Sequence, residues 1–188
     1  MQIEPVVLLV LRHPAEVVAS LARRDTFPEP LAAVTWLHHM LAAEYATCGR
    51  RRALVTYDGL MRDWCACLTH AGEQAGITWP IALEAVAEHV KSRSLRTLRH
   101  HQLNAVQCEV PLAIRPLMQP AYNALSGIAH GDAVPLLRRL DELRDPFVSW
   151  RLRDGEHFAA GLLDGHVLRR LPPEVIPADW MRMAEGLV

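Results

Sequence analysis

Val6-Val7-Leu8-Leu9-Val10-Leu11-Arg12-His13-Pro14-Ala15-Glu16-Val17-Val18-Ala19-Ser20-Leu21 is the stretch whose reading decides the fold. Its first six residues are apolar without alternation. A short run of that kind suits a strand covered on both faces, as in a parallel sheet. Pro14 then signals a helix start, because the first turn needs no donor at that position. The helix is expected to continue to about Arg24, with Pro28 and Pro30 interrupting the chain beyond it.

Downstream the same grammar repeats. A longer helix is predicted over about 30–48, where Val34, Leu37, Leu41, Tyr45 and Cys48 recur at three- and four-residue steps and draw one buried stripe. Gly49 stands where helices commonly end. Ala53-Leu54-Val55-Thr56-Tyr57 reads as a second strand, and Asp58-Gly59 turns into a helix with Leu60, Trp64, Cys67, Leu68, Ala71 and Ala75 on one face. Strand, helices, strand, helix is the order of a parallel α/β sheet with crossovers. Beyond Pro80 the patterns are helical, over 81–90, about 122–130 and 132–143, and the stretch from Asp145 reads as irregular. Two strands leave edges and faces uncovered. The expectation is therefore that a second chain completes the sheet, or that the sequence is the latter portion of a longer protein.

Composition sets bounds on function. With 188 residues, 51% hydrophobic and 22% charged, one sizeable core is expected. A formal net charge of -1 gives no global attraction to nucleic acid or an anionic membrane, so any anion site must be local. Lys91 is the one lysine among 20 basic residues; arginine, with its planar fork of donors, suits phosphate. Cys48, Cys65, Cys67 and Cys108 have neither disulfide nor zinc spacing. Cys65 and Cys67 are two apart on a predicted helix and point away from each other. Buried free thiols, with no signal-peptide layout and no apolar run long enough to span a bilayer, lead to an expected cytoplasmic location and no membrane partner.

The chemistry is expected at Arg12. It closes a parallel strand at its C-terminal end, where open α/β sheets place ligands. A helix begins just after it, and helix N-termini favour anions. Ser20 lies about 9 Å further along the axis, six residues at ~1.5 Å each, within reach of a phosphate shared with an extended arginine. The plainer alternative pairs Arg12 with a nearby carboxylate and leaves Ser20 a small helix-surface residue.

An apolar strand, then Arg, one residue, Pro and a helix with Ser eight residues after the Arg resembles the 3′-phosphate motif of sulfotransferases that use 3′-phosphoadenosine 5′-phosphosulfate. The resemblance implies that Arg12 and Ser20 grip the 3′-phosphate. Val55-Thr56-Tyr57-Asp58-Gly59-Leu60 resembles the family's strand ending in Tyr-Glu-Asp-Leu, which implies that Tyr57 lies near the adenine; Asp58-Gly59 departs from Glu-Asp. In Lys91-Ser92-Arg93-Ser94-Leu95-Arg96-Thr97-Leu98-Arg99-His100-His101 four permanent positive charges stand without an acid. The family carries a basic segment that closes over the 3′-phosphate, which implies that Arg99 and Arg96 join the site; a solvated basic face is the alternative.

The likeness covers about the first 100 residues and implies a truncated α/β, P-loop-type three-layer fold, with strands at about 6–11 and 53–57. Residues 1–144 form the sulfotransferase-like domain on this reading, incomplete at the N-terminus, and 145–188 an irregular extension. The family's glycine-rich phosphosulfate loop and its catalytic base precede the arginine, and the eleven residues before Arg12 contain neither. The catalytic group is thus unknown, and His38, His39, His100 and His101 read as polar helix faces. The expected function is binding the 3′-phosphate of phosphoadenosine phosphosulfate, with sulfuryl transfer to a hydroxyl, such as one on a carbohydrate, in the complete enzyme. The alternative is a non-catalytic nucleotide-binding or partner-docking module, with a homo-oligomer or second chain completing the sheet. No nucleic-acid partner is expected.

Overall fold

In the computed structural model the described residues are 5–25, 27–92, 110–131 and 133–158. They form a two-stranded parallel sheet packed among six helices. Strand β1 is Val7–Leu11 and is followed directly by helix α1, Pro14–Asp25. Helix α2, Glu29–Ala46, leads to strand β2, Arg52–Thr56, and to helix α3, Tyr57–Ala75. Helices α4 (Leu83–Ser92), α5 (Arg115–Ala129) and α6 (Ala133–Trp150) follow, and a π-helical turn, Arg151–Gly155, continues α6. The architecture is mostly helical with a small parallel sheet, compatible with an α/β fold.

The strands pair in register from Val7 with Arg52 to Leu11 with Thr56. Residues paired across a sheet share a face. Leu11 and Leu54 belong to the main core, whereas Ala53 and Val55 pack against Ala71 and Ala75 of α3 in a second cluster. Strand β2 is therefore covered on both sides, as its continuous apolar run demands. Strand β1 is not: Leu8 and Val10 remain 38% and 46% exposed. The expectation of two covered faces fails there because α3 lies over β2 and leaves the far side of β1 open.

Helix α2 corrects a second expectation. Every residue from Leu31 to Leu37 is buried, and α1, β1 and α5 all pack on this helix. The stripe holds at Val34, Leu37 and Leu41, but Tyr45 is 66% exposed and Cys48 lies past the helix end in solvent. Cys48, Cys65 and Cys67 are free thiols, exposed in the first case and half-buried in the others, so the expected full burial does not hold; Cys108 lies outside the described residues. Helices α5 and α6 are longer than their patterns suggested. Pro120 and Pro146 sit inside them. Asp145 lies in the interior of α6, and helical structure continues to Phe158, so 145–158 are not irregular. Phe147 and Trp150 of this segment are buried in the main core.

One buried ionic clamp joins three elements. Glu44 of α2, 3% exposed, holds Arg52 of β2 at 2.8 Å with one carboxylate oxygen and Arg144 of α6 at 2.6 Å with the other. Arg52 also donates to Thr47 Oγ1 at 2.9 Å, and the Arg144 guanidinium lies 4.7 Å from the centre of the Tyr45 ring. These contacts explain the exposed Tyr45 as the outer cover of a charged group.

Candidate functional site

Both strands end on the same side of the sheet, and the residues that follow them meet there. Arg12 follows β1 and Tyr57 follows β2, as the first residue of α3 rather than the last of the strand. The parallel register brings Leu11 beside Thr56, so their successors are neighbours. The Arg12 guanidinium lies over the Tyr57 ring, 4.7 Å from its centre, a cation–π arrangement. The backbone is fixed on either side: Trp36 Nε1 donates to the Arg12 carbonyl at 3.1 Å, and Thr56 caps α3 by accepting from the Gly59 amide at 3.0 Å. A side chain at position 59 would put Cβ 2.9 Å from Thr56 Oγ1. The glycine in Asp58-Gly59 is what that cap requires.

Arg12 is also the centre of an ion pair. Its Nε donates to Glu16 Oε2 at 3.0 Å, in the first turn of α1, with Glu16 1% exposed. The carboxylate alternative raised for Arg12 is therefore realised. Nε is the only Arg12 nitrogen in a hydrogen bond among the described residues, and the side chain is 23% exposed. The two terminal nitrogens keep the paired-donor geometry that phosphate oxygens accept.

The amino end of α1 is closed rather than open. His13 is its cap: the carbonyl accepts from the Glu16 and Val17 amides at 3.1 and 3.2 Å, and Nδ1 accepts from the Ala15 amide at 3.2 Å. With proline at the first position, the early amides are satisfied within the chain, and the expectation of an anion held by them is corrected. An accepting Nδ1 places the imidazole proton on Nε2, and the ring packs edge-on against Tyr122 at 4.6 Å. Burial pushes the His13 pKa below its ordinary 6.5, against the opposing pull of Glu16 and Asp58. A histidine held neutral by folding contributes stability above its unfolded pKa and loses it as pH falls below about 6.5. The urea midpoint should drop between pH 7.5 and 5.5, and His13→Asn, which keeps a capping acceptor without a titrating ring, should flatten that slope. Equal slopes in the two proteins would contradict this role.

Ser20 lies one turn beyond Glu16 on α1 and is half-buried, with no described contact to Arg12. The structure thus brings Arg12 and Tyr57 together and leaves Ser20 at the margin. Arg96 and Arg99 lie outside the described residues, as do His100, His101 and Trp180. Of the other tryptophans, Trp36 and Trp150 are core residues at 5% and 4% exposure, whereas Trp64 and Trp79 are half-buried. The carboxylate of that alternative is Glu16, and its four-residue spacing from Arg12 is the sequence signal that identifies it. Among the described residues no cluster of His, Cys, Asp and Glu could hold a metal ion, and no helix is long and apolar enough to cross a membrane. Comparison with protein-family models, with curated proteins and with solved structures finds no match to the chain.

Proposed function

We propose that the strand-end cluster binds the 3′-phosphate of a phosphoadenosine nucleotide, and that the chain is sulfotransferase-like, built on the α/β, P-loop-type three-layer plan. One observation carries the reading. Arg12 stands at the carboxyl end of a parallel strand, backed by Glu16 and the Tyr57 ring, with its terminal nitrogens uncommitted among the described residues. Buttressing of this kind holds a guanidinium in one orientation, so a phosphate meets a fork that has already lost its rotamer freedom. The Tyr57 ring offers an aromatic surface beside it for a nucleobase. Glu16 lowers the net charge at the site, so the interaction depends on directed hydrogen bonds more than on bulk attraction.

Sulfuryl transfer needs stabilisation of charge on the migrating group and a base for the acceptor hydroxyl. No described residue is assigned either task, and the proposal for this chain is nucleotide binding, with transfer belonging to the assembled enzyme. A calorimetric titration with adenosine 3′,5′-bisphosphate tests it: saturable binding is expected. Ser20→Ala should weaken that binding by about 1 kcal/mol, the worth of one hydrogen bond. Unchanged affinity would remove Ser20 from the site. A second reading, a non-catalytic module docked to another chain, draws on the exposed Leu8 and Val10 of β1. Transfer of labelled sulfate from phosphoadenosine phosphosulfate to an acceptor would rule that second reading out.

A further inference from the structure

We infer that a groove of about 380 Å³ between the last turns of α3 and the start of α4 is a binding site for a small organic cation, an ammonium group on a short aryl or alkyl arm. The volume falls in the range of roughly 300–1,000 Å³ typical of small-molecule sites. Ile77, Trp79 and Leu83 supply its apolar surface, and Thr69, Glu73 and Glu84 its polar side chains. No arginine, lysine or histidine lines it.

The sign of the ligand follows from which groups are already committed. Trp79 is fixed on α3: its Nε1 donates to the Leu68 carbonyl at 3.2 Å, and a Cβ at Gly72 would lie 2.8 Å from that nitrogen. With its one donor engaged, the half-buried indole offers the groove only a π surface, which attracts cations. The Thr69 hydroxyl donates to the Cys65 carbonyl at 2.9 Å, which leaves its oxygen as an acceptor. Glu84 has no ion-pair or hydrogen-bond partner among the described residues, and Glu73 has only the exposed His70, at 3.8 Å. Arg51 reaches the end of α3, but its guanidinium donates to the Ala75 and Gly76 carbonyls. Every uncommitted side-chain group in the groove is thus electron-rich. The negative potential extends to the neighbouring Cys65 thiol, whose pKa is pushed up by partial burial and then by Glu84 and Asp63.

The class follows from the mixture of surfaces. A bare metal ion wants about six oxygens, and among the described residues no group of His, Cys, Asp and Glu could hold one. An ammonium needs fewer: it donates to carboxylate and hydroxyl oxygens while its carbon arm rests on indole and isoleucine. A purely structural role exists for one of the two acids, since Glu84 stands in the first turn of α4, where a carboxylate favours the helix end. That role predicts an effect on stability and none on binding. Gly72 is about four turns along α3 from Tyr57, roughly 20 Å, so the groove is separate from the strand-end cluster. The inference goes beyond nucleotide binding and does not depend on it.

The test uses the full chain without nucleotide and 2-phenylethylammonium as the probe, followed by calorimetry at low salt. Saturable one-to-one binding is expected, with the neutral 2-phenylethanol about tenfold weaker. Glu84→Gln, which keeps the shape, should lose about tenfold for the ammonium and nothing for the alcohol. Ala82→Trp, at an exposed position of the lining, should fill the groove and abolish binding of both while keeping the thermal midpoint of the parent protein. The proposal is overturned by the absence of saturable binding, by equal affinities of the parent for ammonium and alcohol, or by an ammonium affinity unchanged in Glu84→Gln. That last result, with a lowered thermal midpoint, would assign Glu84 to the helix end alone.

Discussion

Glu44→Ala is expected to cost about 3–5 kcal/mol of folding stability, the largest loss from any single substitution considered for this chain. The carboxylate is 3% exposed and the two guanidinium groups it neutralises have side chains only 12% and 15% exposed. Removing it leaves two cations close together in a region from which water is largely excluded, with only the exposed Asp141 still paired to Arg144. Both can swing outward only by abandoning Thr47, in one case, and the Tyr45 ring, in the other. The Arg144 Nε is already buried without a hydrogen-bond partner among the described residues. The loss should appear as a lowered urea midpoint with little change in slope, since the packing of α2 and β2 survives until global unfolding. Glu44→Gln, which keeps the shape, should lose less than the alanine variant. A midpoint within experimental error of the parent would show that the clamp contributes nothing net.

Arg12→Ala carries the second large effect, and it is double. Binding of adenosine 3′,5′-bisphosphate should weaken more than tenfold, beyond 1.4 kcal/mol, because the fork that meets the phosphate is removed. Stability should also fall, by about 1–3 kcal/mol, because buried Glu16 loses the donor at 3.0 Å. The two losses separate with Arg12→Lys. An ammonium keeps one positive charge but has neither the planar fork nor the guanidinium face that lies over Tyr57. Lysine should restore part of the stability and little of the affinity.

The sequence carried the centre of this structure well. The run from Val6 to Leu11 became β1 at Val7–Leu11, the second run became β2 at Arg52–Thr56, and both are parallel as their unalternated apolar character implies. Pro14 opened α1 where a helix-start proline should. These features are local, and local chemistry decides them. What escaped were effects of position in the assembled fold. The helical patterns were placed at about 122–130 and 132–143, yet the helices run over Arg115–Ala129 and Ala133–Trp150 with Pro120 and Pro146 inside them. Burial of Ala121, Leu125 and Phe147 along those helices outweighs the loss of one backbone bond each.

At the site, Arg12 and Tyr57 were legible because each follows a strand, and strand ends converge in a parallel sheet. The closing of α1 by His13 was not legible, since a histidine at that position gives no stronger signal than any polar residue. The Glu44 clamp was hidden for a different reason. Glu44 and Arg144 are 100 residues apart, and no periodicity joins them.

The central claim is that Arg12 recognises a phosphate on the 3′ position. The most direct measurement compares adenosine 3′,5′-bisphosphate with adenosine 5′-monophosphate on the parent chain and on Arg12→Ala. The parent should prefer the bisphosphate by more than tenfold, and the preference should vanish in the variant. Equal affinities for the two nucleotides in the parent, or a preference that survives loss of the guanidinium, would contradict it.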